Sequence, residues 1–410
     1  MALEQIFISI VILLAGARIL GELFRRMKQP ALGGELLAGI ILGPTIFGLV
    51  LPTEDLELIS SIAIFFVMLF IGLEMDLREI KKAGKSAFII SITSLIIPFV
   101  LGYQISIWFG LEFIQSLFIG LLLSVTSVPV SAIILLELGI LKTKIGTTVI
   151  SVAVIDDIIS LVILAIILQL HLTDGSLSNF TEIGFSISQI VLYLAGIAFL
   201  AFAIYKINRW FPHRLENFFT KAKTKEAIFG ILIVVAITLS ITADFAGLHF
   251  IIGTFFAGLI FSEKILGKKE SNKTYGIMSG ITFGFFAPLF FAIIGMKFSG
   301  QSLEHAILLL IILIVAGILS KTLGGYLGAR ICKFPKNQGL AIATLLNGRG
   351  TVGLAITALA YSIGILDITL FSVCVAICFI TTVITPLIAK PVLNKTVNLT
   401  DPKSFGCESE

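Results

Sequence analysis

The sequence predicts an all-α, polytopic membrane protein of 13 transmembrane helices, arranged as two inverted six-helix repeats with crossed discontinuous helices. Three observations predict this fold class: the composition, the apolar runs, and the distribution of basic residues between them. Of the 410 residues, 57% are hydrophobic and only 13% are charged, and the mean hydropathy is +1.07. Soluble domains carry about a quarter charged residues, so this composition excludes a soluble or disordered protein. The formal charge of +4, without a dense basic stretch, excludes a nucleic-acid binder.

Thirteen apolar runs have the length of a membrane-spanning helix, which needs about 20 residues. They lie at 5–23, 30–49, 57–75, 86–108, 113–136, 145–169, 184–205, 226–243, 247–262, 276–296, 304–329, 337–363 and 367–389. The first run lacks the basic start and cleavage site of a signal peptide, so we expect it to span the membrane. The runs do not alternate in hydrophobicity, which excludes the strands of an outer-membrane barrel.

The basic residues predict the orientation of these helices. Of the 29 lysines and arginines, 25 lie in the odd-numbered connections and the C-terminal tail. Only Lys297 lies in an even-numbered connection, and Arg18, Lys321 and Arg349 lie within spans. The positive-inside rule then places the N-terminus outside and the C-terminus in the cytosol. A missed or additional helix would destroy the alternation, which supports the count of 13.

The two halves of the sequence resemble each other at offsets of 219 to 226 residues. Gly34–Gly39 matches Gly253–Gly258, and Gly72 matches Gly295. Helices one to six then correspond to helices eight to thirteen, with helix seven as a linker. An odd number of spans separates equivalent helices, so the repeats have opposite orientations. Inverted repeats are typical of secondary transporters, whose site lies near the midplane where the repeats meet.

Helices five and twelve each carry a helix-breaking cluster near mid-span, and Thr126 of the first aligns with Thr351 of the second. Proline and paired glycines at equivalent positions predict discontinuous helices, whose freed backbone ends can face ions. A kink or tight packing is the structural alternative. We expect Arg349 to cap carbonyls freed by the break in helix twelve. The residues singled out in the two clusters are Thr126, Ser127, Pro129, Arg349, Gly350 and Thr351.

Asp156 and Asp157 lie in helix six, where carboxylates are costly. Asp156 is twelve residues beyond Lys144, or about 18 Å along a helix, which places it near mid-membrane. Each carboxylate costs at least about 2.5–3.5 kcal/mol there, so the pair needs a counter-charge, water or an ion. The second repeat has Thr381 and Thr382 at the equivalent positions, so we expect the ion chemistry to rest on one repeat.

Lys321 lies nine residues before Arg330 in helix eleven, or about 14 Å deep, and can reach the same level as the two carboxylates. A lysine whose carboxylate partner is captured by an entering cation is a proton-release switch. Asp156 and Asp157 are therefore predicted to bind Na⁺ or Li⁺ and protons, together with Thr126 and Ser127 of the first helix-breaking cluster. Lys321 is the predicted switch, and no resident cofactor is expected. A structural salt bridge between helices six and eleven remains the alternative for Asp156 and Lys321.

The motifs from Gln29 to Pro44, Gly72 to Asp76, Asp156-Asp157 and Ser320-Lys321 resemble those of the monovalent cation:proton antiporter-2 family. The resemblance covers nearly the whole chain and is strongest to the sodium/proton antiporters of the NapA type. It implies a sodium/hydrogen exchanger transmembrane domain over 1–390, followed by a short cytosolic tail over 391–410. It also implies that Asp157 is the main cation and proton carrier, that Asp156 pairs with Lys321, and that exchange is electrogenic.

The resemblance further implies a homodimer that works by an elevator movement. The dimerisation part is expected at about 1–80 and 226–300, the mobile core at about 86–170 and 304–390, and the linker helix at 184–205. The predicted function is exchange of Na⁺ or Li⁺ for protons across the plasma membrane of a prokaryote. K⁺/H⁺ exchange on the same scaffold is the nearest alternative, and a passive cation channel or an ion-sensing membrane protein is an alternative of another class. An enzyme is not expected, because no phosphate-binding loop, metal cluster or nucleophile constellation is present in the sequence.

Overall fold

The computed structural model describes residues 2–74, 77–141, 143–172, 225–245, 250–261 and 273–396. Every regular element in these ranges is a helix, and they contain no strand. Within the same ranges, nine helices are long and apolar enough to cross a membrane. The prediction of an all-α membrane protein is therefore confirmed for the described part of the chain.

The described residues form helices on both sides of the gap at 173–224. Before it lie α1 (Ala2–Arg26), α2 (Ala31–Leu42), α3 (Glu54–Glu74), α4 (Leu77–Trp108), α5 (Phe113–Ser124), α6 (Val128–Glu137) and α7 (Lys144–Leu172). After it lie α8 (Lys225–Phe245), α9 (Phe250–Ile260), α10 (Lys273–Lys297), α11 (Gly300–Glu304), α12 (Ile307–Ile331), α13 (Lys336–Leu345), α14 (Thr351–Ser362) and α15 (Ile368–Thr396). Helix α10 contains a π-helical turn at Thr282–Phe286.

The helices fall where the apolar runs predict them, with two kinds of difference. The runs at 113–136 and 337–363 each contain two helices instead of one. The run at 30–49 holds only the short α2, which ends before Gly43 because the following Pro44 disfavours a helical conformation of the residue that precedes it. The predicted helix seven lies outside the described residues, so the count of 13 stays a prediction.

The described chain forms two compact units, each with its own apolar core. The first contains Met1–Pro52, Arg78–Ser160 and Phe291–Glu410, and the second contains Thr53–Leu77 and Leu161–Phe290. A core of the first unit lies among α4, α6, α7, α12, α13 and α15. The core of the second unit lies among α3, α8, α9 and α10. The predicted division into a dimerisation part and a mobile core stays a prediction.

Glycines let two pairs of helices approach closely. In the first unit, α2 and α10 meet at Gly39 and Gly295, and in the second unit α3 and α9 meet at Gly72 and Gly258. A methyl group at any of the four would lie 1.8–2.4 Å from a carbonyl oxygen of the facing helix. Small residues at such contacts are the usual means by which membrane helices pack. Gly39 aligns with Gly258 and Gly72 aligns with Gly295 in the predicted repeat, so both helix pairs use equivalent positions.

Candidate ion-binding site

The first interrupted span breaks where α5 ends at Ser124 and α6 begins at Val128. The connecting backbone is extended, with Ser127 at φ −108° and ψ 112°. Pro129 lies in the first turn of α6, where a residue without a backbone N–H removes no helical hydrogen bond. The proline therefore favours a new helix start at this point over a continuous span.

The second interrupted span breaks between Leu345, where α13 ends, and Thr351, where α14 begins. The two breaks contact each other directly, because the backbone N–H of Ser127 donates to the Gly348 carbonyl over 2.8 Å. A methyl group on Gly350 would lie 2.1 Å from the Ser127 hydroxyl oxygen, so glycine is needed for this approach. The two breaks therefore lie in contact, at a place that we call the crossing, and the ends of four half-helices converge there.

Two buried cations cap the C-terminal end of α5. Arg349 donates from Nε to the Leu122 carbonyl over 3.2 Å and from Nη2 to the Leu123 carbonyl over 2.7 Å. Lys321 donates from Nζ to the Ser124 carbonyl. The last carbonyls of a helix lack intrahelical donors and carry partial negative charge, and the bilayer core supplies no water to satisfy them. Positive side chains are therefore suited to this helix end.

Arg349 caps a different helix from the one that the sequence predicts. Its two shorter hydrogen bonds go to α5, whereas its bond to the Asn347 carbonyl, in its own break, is 3.5 Å long. Neutral groups satisfy the end of α13 instead: the Ser131 hydroxyl donates to the Leu345 carbonyl over 2.7 Å. The amide group of Asn347 donates to the Thr344 carbonyl over 3.4 Å. The cap crosses between the broken helices because the two breaks lie against each other.

Asp156 of α7 lies beside this crossing and accepts three hydrogen bonds. Its Oδ2 accepts from Lys321 Nζ over 2.9 Å and from the Thr126 hydroxyl over 2.7 Å. Its Oδ1 accepts from the Ser91 hydroxyl of α4 over 2.5 Å. Asp156 and Lys321 are both fully buried, so this is a buried ion pair with further hydrogen bonds. Such bonds are needed to offset the desolvation of buried charges.

Asp157 is the next residue of α7 and is also buried, with 2% of its surface exposed. Neighbouring helix residues point about 100° apart, so the two carboxylates face different directions from one turn. Ser160 lies one turn further on the side of Asp157, and its hydroxyl has no hydrogen-bond partner among the residues that the structure describes. The turn thus presents a second buried carboxylate and a nearby buried hydroxyl.

The buried charges of this region balance. Asp156 and Asp157 contribute two negative charges, and Lys321 and Arg349 contribute two positive charges. An unpaired charge within the hydrocarbon region is costly, so compensation allows four charged groups to be buried in one place. A monovalent cation or a proton that enters changes this balance by one unit.

The profile of the family described as sodium/hydrogen exchanger, transmembrane, matches residues 9–395. This chain belongs to the sodium/hydrogen exchanger family. It is similar to the Na⁺/H⁺ antiporter of Enterococcus hirae, with 30% identity over 94% of this chain and 97% of the relative. It is also 30% identical to the Na⁺/H⁺-K⁺ antiporter GerN of Bacillus cereus, over 94% of this chain and 96% of the relative.

Among solved structures, the fold matches the sodium proton antiporter MjNhaP1 of Methanocaldococcus jannaschii at pH 8. The TM-score is 0.69, and the match covers 95% of this chain and 97% of the other at 15% sequence identity. At this identity the likeness concerns the fold alone. The match over residues 9–395 confirms the family predicted from the motifs. The family is made up of multi-pass membrane transporters and not of enzymes. Bacterial relatives within the family agree with the predicted plasma-membrane location.

In this sodium/hydrogen exchanger, the predicted second repeat has hydroxyl residues at the positions that align with the two carboxylates. Thr382 aligns with Asp157, and its hydroxyl donates to the Arg349 carbonyl within the second break. Thr351 begins α14 and is buried. The predicted residues thus gather around one crossing, with Pro129 and Gly350 shaping the breaks and Thr126 bonded to Asp156.

Sequence reasoning missed Ser91, Ser131 and Asn347, which also bond within this region. A serine in an apolar span is common in membrane helices and does not by itself indicate a partner. Asn347 stood inside the second helix-breaking cluster, and its polar amide at mid-span was the signal that could have identified it.

Proposed function

We propose that this chain is an antiporter that exchanges Na⁺ or Li⁺ for protons, electrogenically and by alternating access. The observation that carries the proposal is Asp156, a buried carboxylate held by both Lys321 and Thr126 beside the crossing of two broken helices. Broken helices at mid-membrane supply the ion sites of secondary transporters.

Competition for the carboxylates couples the two ions. Asp157 is the main carrier, which holds either a cation or a proton, and carboxylate and hydroxyl oxygens are ligands that hard cations prefer. A cation that engages Asp156 competes with the ammonium group of Lys321 for the same oxygen. Lys321 can then release a proton, because its partner has been withdrawn. The site therefore cannot bind the cation and all of its protons at the same time. This mutual exclusion is the requirement for exchange.

Exchange of one cation for more than one proton moves net charge. The two adjacent carboxylates and the exchangeable lysine provide enough titratable groups for such a ratio. Each elementary charge moved across 100 mV corresponds to about 2.3 kcal/mol, so the membrane potential would contribute to driving transport.

The architecture proposed for this mechanism is 13 helices in two inverted repeats, with a dimerisation part at about 1–80 and 226–300 and a moving core at about 86–170 and 304–390. Two features support the repeat: the glycine contacts at equivalent positions of α2–α10 and α3–α9, and the breaks at equivalent positions of two spans. The linker at 184–205, the homodimer and the elevator movement follow from the resemblance to the family.

K⁺/H⁺ exchange is the second candidate, and the name of GerN as a Na⁺/H⁺-K⁺ antiporter favours it. The carboxylate and hydroxyl oxygens described here can serve Na⁺, Li⁺ and K⁺. Comparison of the three cations in one preparation separates the candidates.

The deciding experiment measures cation-driven proton movement in proteoliposomes that contain the wild-type chain or Asp157→Asn. Asp157→Asn should abolish Na⁺-driven proton movement, because the main carrier can no longer bind a proton or balance a cation. Asp55→Asn, an exposed change in the first turn of α3, is the matched control and should retain wild-type transport. Full activity of Asp157→Asn would reject the proposed carrier.

The same preparation tests electrogenicity and excludes the other classes. Clamping the potential with K⁺ and valinomycin should change the rate of Na⁺/H⁺ exchange. A rate that ignores the potential would reject electrogenic exchange, and Na⁺ flux without proton counter-movement would indicate a channel.

A further inference from the structure

Lys297 is the basic residue that departs from the predicted charge alternation, and the proposed function gives it no role. It is the last residue of α10, and its Nζ lies over the ring of Tyr361, 5.5 Å from the ring centroid. Tyr361 is half-buried in the last turn of α14. A cation within about 6 Å of an aromatic centroid is attracted by the ring. This contact therefore joins the end of α10 to the end of α14.

The Tyr361 ring is positioned by α15. It packs against the ring of Phe371, with 4.5 Å between the centroids and 35° between the planes. Phe371 is fully buried, and aromatic pairs at such distances are favourable. Tyr361 is thus fixed by its own side of the contact, so a separation of α10 from α14 would part Lys297 from the ring.

The residues that follow Lys297 are tied to two different helices. The hydroxyl of Thr45, just beyond α2, donates to the Phe298 carbonyl. The next backbone N–H, that of Ser299, donates to the Ser372 hydroxyl of α15 over 3.0 Å. Ser372 is fully buried. The chain therefore passes from an attachment on α2 to an attachment on α15 within two residues.

These contacts cross the proposed boundary between the two parts of the transporter. Thr45, Lys297 and Ser299 belong to the proposed dimerisation part, whereas Tyr361 and Ser372 belong to the proposed moving core. All five lie at helix ends that the basic residues predict to be on the outer side of the membrane. In alternating access one bundle moves as a body against the other, so contacts between them at one membrane face must break in each cycle.

We propose that Lys297 and Tyr361 form a latch that holds the outer side of the transporter closed. The latch opens when the core exposes its site to the outside, and it closes again when the site faces the cytosol. A single cation–π contact biases two states by a small factor, so it can be broken and remade in every turnover. This inference rests on the proposed alternating-access function and adds a conformational device to it.

Labelling of a cysteine at position 372 tests the latch. Ser372 is buried against the segment that follows Lys297, so Ser372→Cys should react with a membrane-impermeant maleimide only when this segment leaves α15. Lys297→Gln or Tyr361→Leu should raise the labelling rate in proteoliposomes about two- to fivefold, the factor of a cation–π contact at a partly exposed site. Tandem mass spectrometry assigns the label to position 372, so the native cysteines stay in place.

Lys297→Arg and Tyr361→Phe are the matched controls, because each keeps a cation over an aromatic ring. Both should label at the wild-type rate. A Lys297→Gln protein that labels no faster than Lys297→Arg would overturn the proposal. Equal labelling in Tyr361→Leu and Tyr361→Phe would do the same.

A disulfide across the boundary provides a second test. The double variant Ser299→Cys/Ser372→Cys should lose cation-driven proton movement when it is oxidised and regain it after reduction. The matched control is Gln115→Cys/Ile365→Cys, since Gln115 Nε2 donates to the Ile365 carbonyl over 3.3 Å within the proposed core. The oxidised control should transport as well as the reduced control.

The latch and the antiport function fail in different ways. A wild-type chain without cation-driven proton movement would reject the antiport function. If the wild type exchanges cations for protons and the oxidised Ser299→Cys/Ser372→Cys protein transports like the reduced one, only the latch is rejected. Should this pair not form a disulfide, the labelling rates decide the outcome.

Discussion

Arg349→Met removes the cap from the end of α5 and should destabilise the protein strongly. The substitution deprives the Leu122 and Leu123 carbonyls of donors at 3.2 and 2.7 Å. A buried acceptor left without its partner costs about 1–3 kcal/mol, so the two together cost roughly 2–6 kcal/mol. The change also leaves two buried carboxylates with one buried cation, which adds to the cost.

Arg349→Lys separates the effect of the positive charge from the effect of the two guanidinium hydrogen bonds. Lysine keeps the positive charge but presents one ammonium nitrogen in place of the planar guanidinium fork, so it should lose one of the two bonds, or about 1–3 kcal/mol. Thermal unfolding in detergent, followed by size-exclusion chromatography, gives the Tm of each variant relative to the wild type. At roughly 2 °C per kcal/mol, Arg349→Met should lower Tm by about 4–12 °C and Arg349→Lys by about 2–6 °C.

The matched control is Arg330→Met. Arg330 also caps a carbonyl, donating to Phe334 over 2.6 Å, but it lies exposed at the end of α12. Exposed groups re-solvate when a bond is lost, so this change should lower Tm by less than about 2 °C. An Arg349→Met protein within about 2 °C of the wild type, or an equal loss in Arg330→Met, would refute the assignment of Arg349 as an essential cap.

Two further predictions concern buried charge and close packing. Lys321→Ala should lower the free energy of unfolding by about 3–5 kcal/mol, because it leaves Asp156 as an uncompensated buried charge. Adding Asp156→Asn should recover part of this stability. If the double variant unfolds at or below the Tm of Lys321→Ala, the ion pair is not the source of the cost. Gly39→Ala should abolish the monodisperse folded peak, because its methyl group would lie 1.8 Å from the Ala292 carbonyl oxygen. Gly230→Ala, which meets nothing within 4 Å among the described residues, should be tolerated, and equal behaviour of the two would contradict the packing between α2 and α10.

The positions of the spans follow from local properties of the chain and could be predicted closely. The run at 145–169 is α7 at Lys144–Leu172, and the run at 86–108 agrees with the apolar part of α4, Gly84–Trp108. Apolar length is a strong signal because a helix must cross a hydrocarbon layer of nearly constant thickness. The end of α2 was less predictable, since Gly43 and Pro44 stop the helix inside an apolar run.

The candidate site also contains residues that could be predicted from the sequence and residues that could not. Asp156, Asp157 and Lys321 are conspicuous because charges are rare within spans, and Pro129 and Gly350 mark the breaks. The partners of these groups carry no such mark. Ser91 is one hydroxyl among many in apolar helices, and the carbonyl that a side chain caps has no sequence signature at all.

The sequence by itself determined that this is a helical membrane protein, where its described spans lie, and which charged residues need compensation within them. These properties depend on the free energy of transferring side chains into the bilayer, which is a sum over local segments. Only the tertiary structure decided that Arg349 caps α5 rather than its own broken helix, and that Ser91 of α4 and Thr126 of the first break donate to Asp156. Those contacts join residues far apart in the chain, and they depend on how the two breaks cross, which no local pattern of residues specifies.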